Sequence, residues 1–101
     1  EKIGMTPNIM IDCSHANSGK DHNRQPAVAR DAVRQILAGN RSIIGLMLES
    51  NLYAGNQRLS SAREKMDYGV SITDACIDWV TTESLLREIS EALTEKLTMR
   101  A

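Results

Sequence analysis

Three side chains able to grip a divalent cation, one imidazole and two carboxylates, stand out in this sequence: His15 and Glu49, each at the end of an apolar run, and Asp74 in an adjoining loop. In Ile9-Met10-Ile11-Asp12-Cys13-Ser14-His15-Ala16-Asn17-Ser18-Gly19-Lys20, strand-compatible residues stop abruptly at a polar cluster. That is the pattern of a buried strand emptying into a functional loop. Ser42-Ile43-Ile44-Gly45-Leu46-Met47-Leu48-Glu49-Ser50 repeats the pattern and ends on a carboxylate where the first run ended on an imidazole. Asp74 lies in Tyr68 to Ile77, a partly extended stretch. An imidazole beside a carboxylate suits a divalent metal or a proton-transfer pair. With the second carboxylate, the three make a divalent-metal site short of one ligand.

Each residue also has a plainer reading. His15 could be a strand-end histidine satisfied by its neighbours. Glu49 could form a salt bridge with Arg24 or Arg41, and Asp74 an Asx-turn with Ala75 and Cys76. Cys13 reads as a small apolar filler or an auxiliary thiol ligand, and Cys76 as structural. Gly19-Lys20 lacks the leading glycine and the following Ser or Thr of a phosphate-binding loop. Asn40-Arg41-Ser42 fits a glycosylation acceptor, with nothing to suggest secretion. Asn56, Gln57, Arg58 and Arg63 read as solvated loop residues, although a mobile arginine near a metal could meet a phosphate.

The elements that must position these groups follow from periodicity. The spacing predicts a strand over Ile9 to Cys13, a loop over Ala16 to Arg24, and a helix from Gln25 to Ala38. Pro26 falls in the first turn of that helix, Val28, Ala32, Val33, Ile36 and Leu37 form its apolar stripe, and Gly39-Asn40 ends it as a left-handed cap. A second strand over Ser42 to Leu48 is apolar on both faces, as a covered parallel strand would be. A long loop runs from Asn51 to Asp67. The last helix is expected from Thr81 to Met99, capped by Thr81 or Thr82, with Glu83 in its first turn and Leu85, Leu86, Ile89, Leu93 and Leu97 as its stripe. A Glu83–Arg87 pair adds minor surface support.

Strand, crossover helix and return strand fill the interval between His15 and Glu49, so the two strands should be parallel neighbours ~4.8 Å apart with both side chains at their carboxyl ends. The fold class is α/β, with too few strands to close or flank a sheet and with open edges to cover.

A chain of 101 residues allows one small domain. Twelve basic and 13 acidic residues give a net charge of −1, too little field to draw nucleic acid or anionic lipid. No run approaches the ~20 apolar residues of a membrane span. Two cysteines without a CxxC pair suggest free thiols in the cytoplasm rather than a disulfide framework. Glu1-Lys2-Ile3-Gly4 reads as the end of a helix, so the chain is expected to begin in mid-fold, as a piece of something longer.

Ile11 to Ser18, Ile43 to Asn51, Gly55-Asn56-Gln57 and Tyr68 to Cys76 closely resemble, in order and at matching separations, the carboxyl-terminal part of the bacterial 3-deoxy-D-arabino-heptulosonate 7-phosphate (DAHP) synthases. Arg24 to Ala29 and Gly39 to Ser42 look most like the tyrosine-regulated enteric branch. The resemblance implies that residues 1–101 form the last two β/α units of a (β/α)8 TIM barrel. Ile9 to Cys13 and Ser42 to Leu48 would be strands seven and eight, Gln25 to Ala38 and Thr81 to Met99 helices seven and eight, and Glu1 to Gly4 the end of helix six.

The resemblance further implies a metal-dependent transferase that condenses phosphoenolpyruvate with erythrose 4-phosphate. His15, Glu49 and Asp74 would be three ligands of a divalent ion of the Mn, Fe, Co or Zn type, and Cys13 would not be one. The fourth ligand, a cysteine, and the phosphate-holding basic residues would lie on earlier strands. A homo-oligomeric parent inhibited by an aromatic amino acid, and a catalytically silent fragment, are the corresponding expectations. The rival readings are a non-enzymatic βαβ metal-binding module and a self-associating piece that pairs through its strand edges.

Overall fold

In the computed structural model, which describes residues 4–100, the chain runs β1 (Ile9–Asp12), α1 (Gln25–Leu37), β2 (Ile43–Met47) and α2 (Trp79–Arg100), with short 3-10 turns at His15–Ser18, His22–Arg24 and Arg63–Lys65. Glu1, Lys2 and Ile3, part of the expected helix end, lie outside the described residues. β1 and β2 pair in parallel, with Ile11 opposite Leu46 and Asp12 opposite Met47, as expected of a βαβ crossover. Each strand is shorter than the sequence suggests. Even so, the Ile9 amide donates to the Ser42 carbonyl and the Cys13 amide to the Met47 carbonyl, so the flanking residues still join the ladder.

α1 begins where Pro26 permits and stops at a glycine, Gly39, with φ 113°. The Gly39 amide donates to the Ile36 carbonyl and the Asn40 amide to the Gln35 carbonyl, the paired bonds of a Schellman cap. The Asn40 side-chain oxygen then accepts from the Ser42 and Ile43 amides and launches β2. The matched glycosylation acceptor is thus a structural turn.

α2 starts two residues earlier than expected. Asp78, not Thr81 or Thr82, is the capping group, since its carboxylate accepts from the Thr81 amide at 2.8 Å. The Thr82 hydroxyl instead donates to the Asp78 carbonyl. Glu83 therefore sits beyond the first turn, although its pairing with Arg87 forms at 3.8 Å.

One face of the sheet carries the core. Val33, Ile36, Ile43 and Leu93 pack together with Ile11, Leu46 and Ile89, and beside them Cys13, Ala29 and Leu85 form a second cluster that shares Ile11, Leu46 and Ile89. The helix stripes are narrower than predicted, because Leu37, Leu86 and Leu97 remain exposed. β2 is not covered on both sides among the described residues. Met10 is 66 % and Ile44 64 % exposed on the face away from the helices. Gly45 lies there too: a Cβ added to it would come within 3.2 Å of the Met10 methyl, so glycine keeps room for that side chain.

Candidate metal centre

Both strands end at the same edge, and the chain leaving each carries its functional group straight into a shared space. His15 follows β1 by three residues, at the start of the 3-10 turn and with φ 50°, a left-handed conformation uncommon outside glycine. The turn is closed by the Lys20 amide donating to the His15 carbonyl and by the Gly19 amide donating to Ala16. Glu49 follows β2 by two residues, and Asp74 arrives from the long loop. The His15 Nε2 lies 3.2 Å from Glu49 Oε1 and 3.1 Å from Asp74 Oδ2. One donor atom from each of the three residues falls within 4.8 Å of the other two. For His15 the plainer reading is met in part, since Asp12 and Ser14 bond its Nδ1. For the carboxylates it is not, as Glu49 faces His15 rather than Arg24 or Arg41 and Asp74 turns to the imidazole instead of closing an Asx-turn.

A third carboxylate, that of Asp12, orients the ring from behind. Asp12 Oδ2 lies 3.0 Å from His15 Nδ1, while Asp12 Oδ1 accepts from the Ser14 amide at 2.8 Å and from the Ser14 hydroxyl. The Ser14 bonds, with His15 behind them, hold the Asp12 carboxyl below its usual pKa. His15 is held above its usual value, first by Asp12, then by Asp74 and by the charge of Glu49.

The chemistry of this donor set fits a cation. Carboxylates only accept, so the three oxygens can be met either by N–H groups on the imidazole or by a cation. A divalent ion would take the Nε2 lone pair and both carboxylates, relieve their mutual repulsion, and leave Nδ1–H on Asp12. This is the outer-partner arrangement common behind metal-bound histidines.

The long loop is more ordered than its polar composition suggests. Isolated bridges join Ser50 to Ile77, Gly55 to Cys76 and Asn56 to Ser71. Gln57, expected to be solvated, accepts from the Asp67 amide and donates to the Asp67 and Val70 carbonyls. Asn56 donates to the Thr73 carbonyl, immediately before Asp74. Gly69, with φ 75°, brings its carbonyl to the Tyr53 amide where an added Cβ would meet Leu52 at 2.8 Å. Arg58 and Arg63 stay exposed, as expected.

Cys13 is buried, its thiol pushed up by burial first and by Asp12 second, and it packs as a filler against Ala29 and Leu85. Both cysteines are free. Sequence reasoning missed Gln25, which is fully buried and bonded to the Glu49 main chain. A glutamine directly before a helix-opening proline was the one available hint. A cavity of about 340 Å3 opens in front of His15, Glu49 and Asp74, with Lys20 and His22 on its wall.

These features define an α/β chain whose functional groups gather beyond the carboxyl ends of parallel strands, the usual location in that class. The profile of the DAHP synthetase I family matches residues 1–87, and the chain belongs to that family. It is 58 % identical over 100 residues to the Tyr-sensitive phospho-2-dehydro-3-deoxyheptonate aldolase of Escherichia coli K12, covering 99 % of this chain and 28 % of that one. The Phe-sensitive enzyme of the same organism is 49 % identical over 92 residues, covering 91 % of this chain and 26 % of that one. A solved phospho-2-dehydro-3-deoxyheptonate aldolase from Francisella tularensis superposes with a TM-score of 0.77 at 42 % identity, over 88 % of this chain and 25 % of its own. The chain thus spans about a quarter of the length of these relatives. Among the described residues, no helix is long and apolar enough to cross a membrane.

Proposed function

We propose that this chain is the metal-binding carboxyl-terminal quarter of a DAHP synthase, a transferase that joins phosphoenolpyruvate to D-erythrose 4-phosphate with uptake of water and release of phosphate. The observation that carries this reading is the convergence of His15, Glu49 and Asp74 within 4.8 Å beyond the carboxyl ends of two parallel strands. In the full protein β1 and β2 would be the last two strands of a (β/α)8 barrel, whose active sites lie at that end. The exposed Met10 and Ile44 would then face the barrel interior.

The bound divalent ion, of the Mn, Fe, Co or Zn type, would polarise the aldehyde carbonyl. The chain's own residues prepare for it. Asp12 keeps a proton on Nδ1 and so leaves the Nε2 lone pair free, Glu49 supplies the most sheltered carboxylate, and Asp74 closes the set from the more exposed side. The remaining ligand and the groups gripping both substrate phosphates would come from earlier strands, so the isolated chain is expected to be silent. We place the parent in the cytoplasm, as a homo-oligomer, with tyrosine as the favoured aromatic feedback inhibitor. The higher identity to the Tyr-sensitive relative supports that choice.

A turnover assay with both substrates and Mn2+ tests the fragment reading: no product is expected from the 101-residue chain, and sustained product formation would refute its silence. The encoding reading frame tests the parent. A frame of roughly 350 codons, a barrel with an added segment, is expected; one limited to these residues would sink the synthase reading. The exposed face of the sheet also favours self-association as a second reading, which a dimeric solution mass independent of added metal would support.

A further inference from the structure

We infer that Gln25 is a positioning residue for Glu49, holding that carboxylate where a metal would need it. The inference rests on the reading of His15, Glu49 and Asp74 as a cation site. Glu49 lies two residues past the end of β2, where the ladder no longer holds the main chain. Gln25 takes over there. From the first position of α1 its Oε1 accepts from the Glu49 amide at 2.7 Å, and its Nε2 donates to the Glu49 carbonyl at 3.0 Å. The carbonyl also accepts from the Ile77 amide at 3.0 Å. The Glu49 peptide is therefore fixed by a helix terminus on one side and by the loop that delivers Asp74 on the other.

The chemistry singles out glutamine. The main chain of Glu49 presents one N–H donor and one C=O acceptor on either side of its Cα, and the two ends of a single amide side chain answer both at once. Asparagine is one methylene shorter, glutamate lacks the donor, and an apolar residue leaves two polar groups unmet. Gln25 is 0 % exposed, so water cannot replace these bonds and an unmet partner would have to move. What moves is the backbone that carries the Glu49 side chain, which sits 3.2 Å from His15.

The test compares Mn2+ affinity, by calorimetric titration well below the unfolding midpoint, in the wild-type chain, in Gln25→Met and in Leu93→Ala. Gln25→Met keeps the length and loses both bonds. Leu93→Ala weakens the core away from the site. Gln25→Met is expected to lower the affinity by about tenfold or more, the range seen on losing an outer partner of a metal ligand. Leu93→Ala, though destabilising, should leave affinity within about twofold, as distant sites act independently.

Equal affinities in wild type and Gln25→Met would overturn the positioning role and leave the cation reading intact. No Mn2+ binding by the wild type would overturn the cation reading itself, and this inference with it. Amide exchange in the wild-type chain supplies a check that survives any folding defect in the variant. The Glu49 amide should be protected as strongly as those inside β2, and exchange at the rate of an open loop would overturn the assignment.

Discussion

The two loops that bring side chains to the cavity solve the same problem in opposite ways. The first, after β1, is short and nearly self-contained. His15 is oriented by Asp12 three residues earlier and backed by Ser14, and its turn is closed by Ser18, Gly19 and Lys20. The second, between β2 and α2, positions Asp74 through contacts widely separated in sequence: Gly55 with Cys76, Asn56 with Thr73, Gln57 with Asp67 and Val70. A site built from one local and one distributed arm should tolerate damage differently on its two sides. Local contacts re-form whenever the strand does. The distributed ones require the whole loop to be in place.

The largest effect is expected where the arms meet. Removing the imidazole in His15→Ala deletes the group that meets both carboxylates and, on the proposed metal reading, should lower Mn2+ affinity by more than the 10–100-fold that loss of an outer partner costs, roughly beyond 100-fold in a calorimetric titration. A drop below tenfold would mean that the carboxylates alone hold the ion.

Gly69→Ala attacks the distributed arm. It combines a φ of 75° with a contact of 2.8 Å to Leu52, and should cost on the order of 1–3 kcal/mol in urea unfolding. Nuclear magnetic resonance should show Asp74 loosened while the His15–Asp12 contact persists; loss of both together would erase the distinction between the arms. Asp12→Asn attacks the local arm. It keeps the size of the group and removes the charge behind His15, so Mn2+ affinity should fall by about tenfold with the long loop undisturbed.

The smallest effect belongs to a contact outside both arms. Arg30 Nε lies 2.7 Å from Glu88 Oε2 and holds the Glu88 carboxyl below its ordinary 4.5. A depressed folded pKa means that this pair stabilises the fold above pH 4.5 and that its contribution fades as the pH falls through the folded value. Glu88→Gln should flatten that acid limb slightly in thermal unfolding, and 1 M salt should remove most of the difference. Metal affinity should not change.

The same division governs what could be read from residues alone. β1, α1, β2 and the parallel pairing were legible because each leaves a local mark, such as an apolar run, a proline in the first turn or a glycine at the end. The ends of α2 were less so. Asp78 competes with Thr81 and Thr82 as a cap, and which one wins depends on where the Trp79 amide is taken up by the Leu52 carbonyl, a contact across the loop. Gln57 looked like a solvated polar residue because nothing near it in sequence tells that its partners are ten and thirteen residues away. Leu86 and Leu97 carry the right spacing for a stripe, but two short strands offer too narrow a face to cover them.

Residue order was enough to place His15 and Glu49 at the ends of neighbouring strands, because the alternation of apolar runs with a crossover helix permits few other arrangements. It also put Asp74 in reach, within a stretch that had to return toward them. The burial of Gln25 against the Glu49 main chain, the pairing of His15 with Asp74 and the approach of one atom from each of His15, Glu49 and Asp74 to within 4.8 Å depended on packing in three dimensions. A hydrogen bond between distant residues leaves no period and no composition in the chain that makes it.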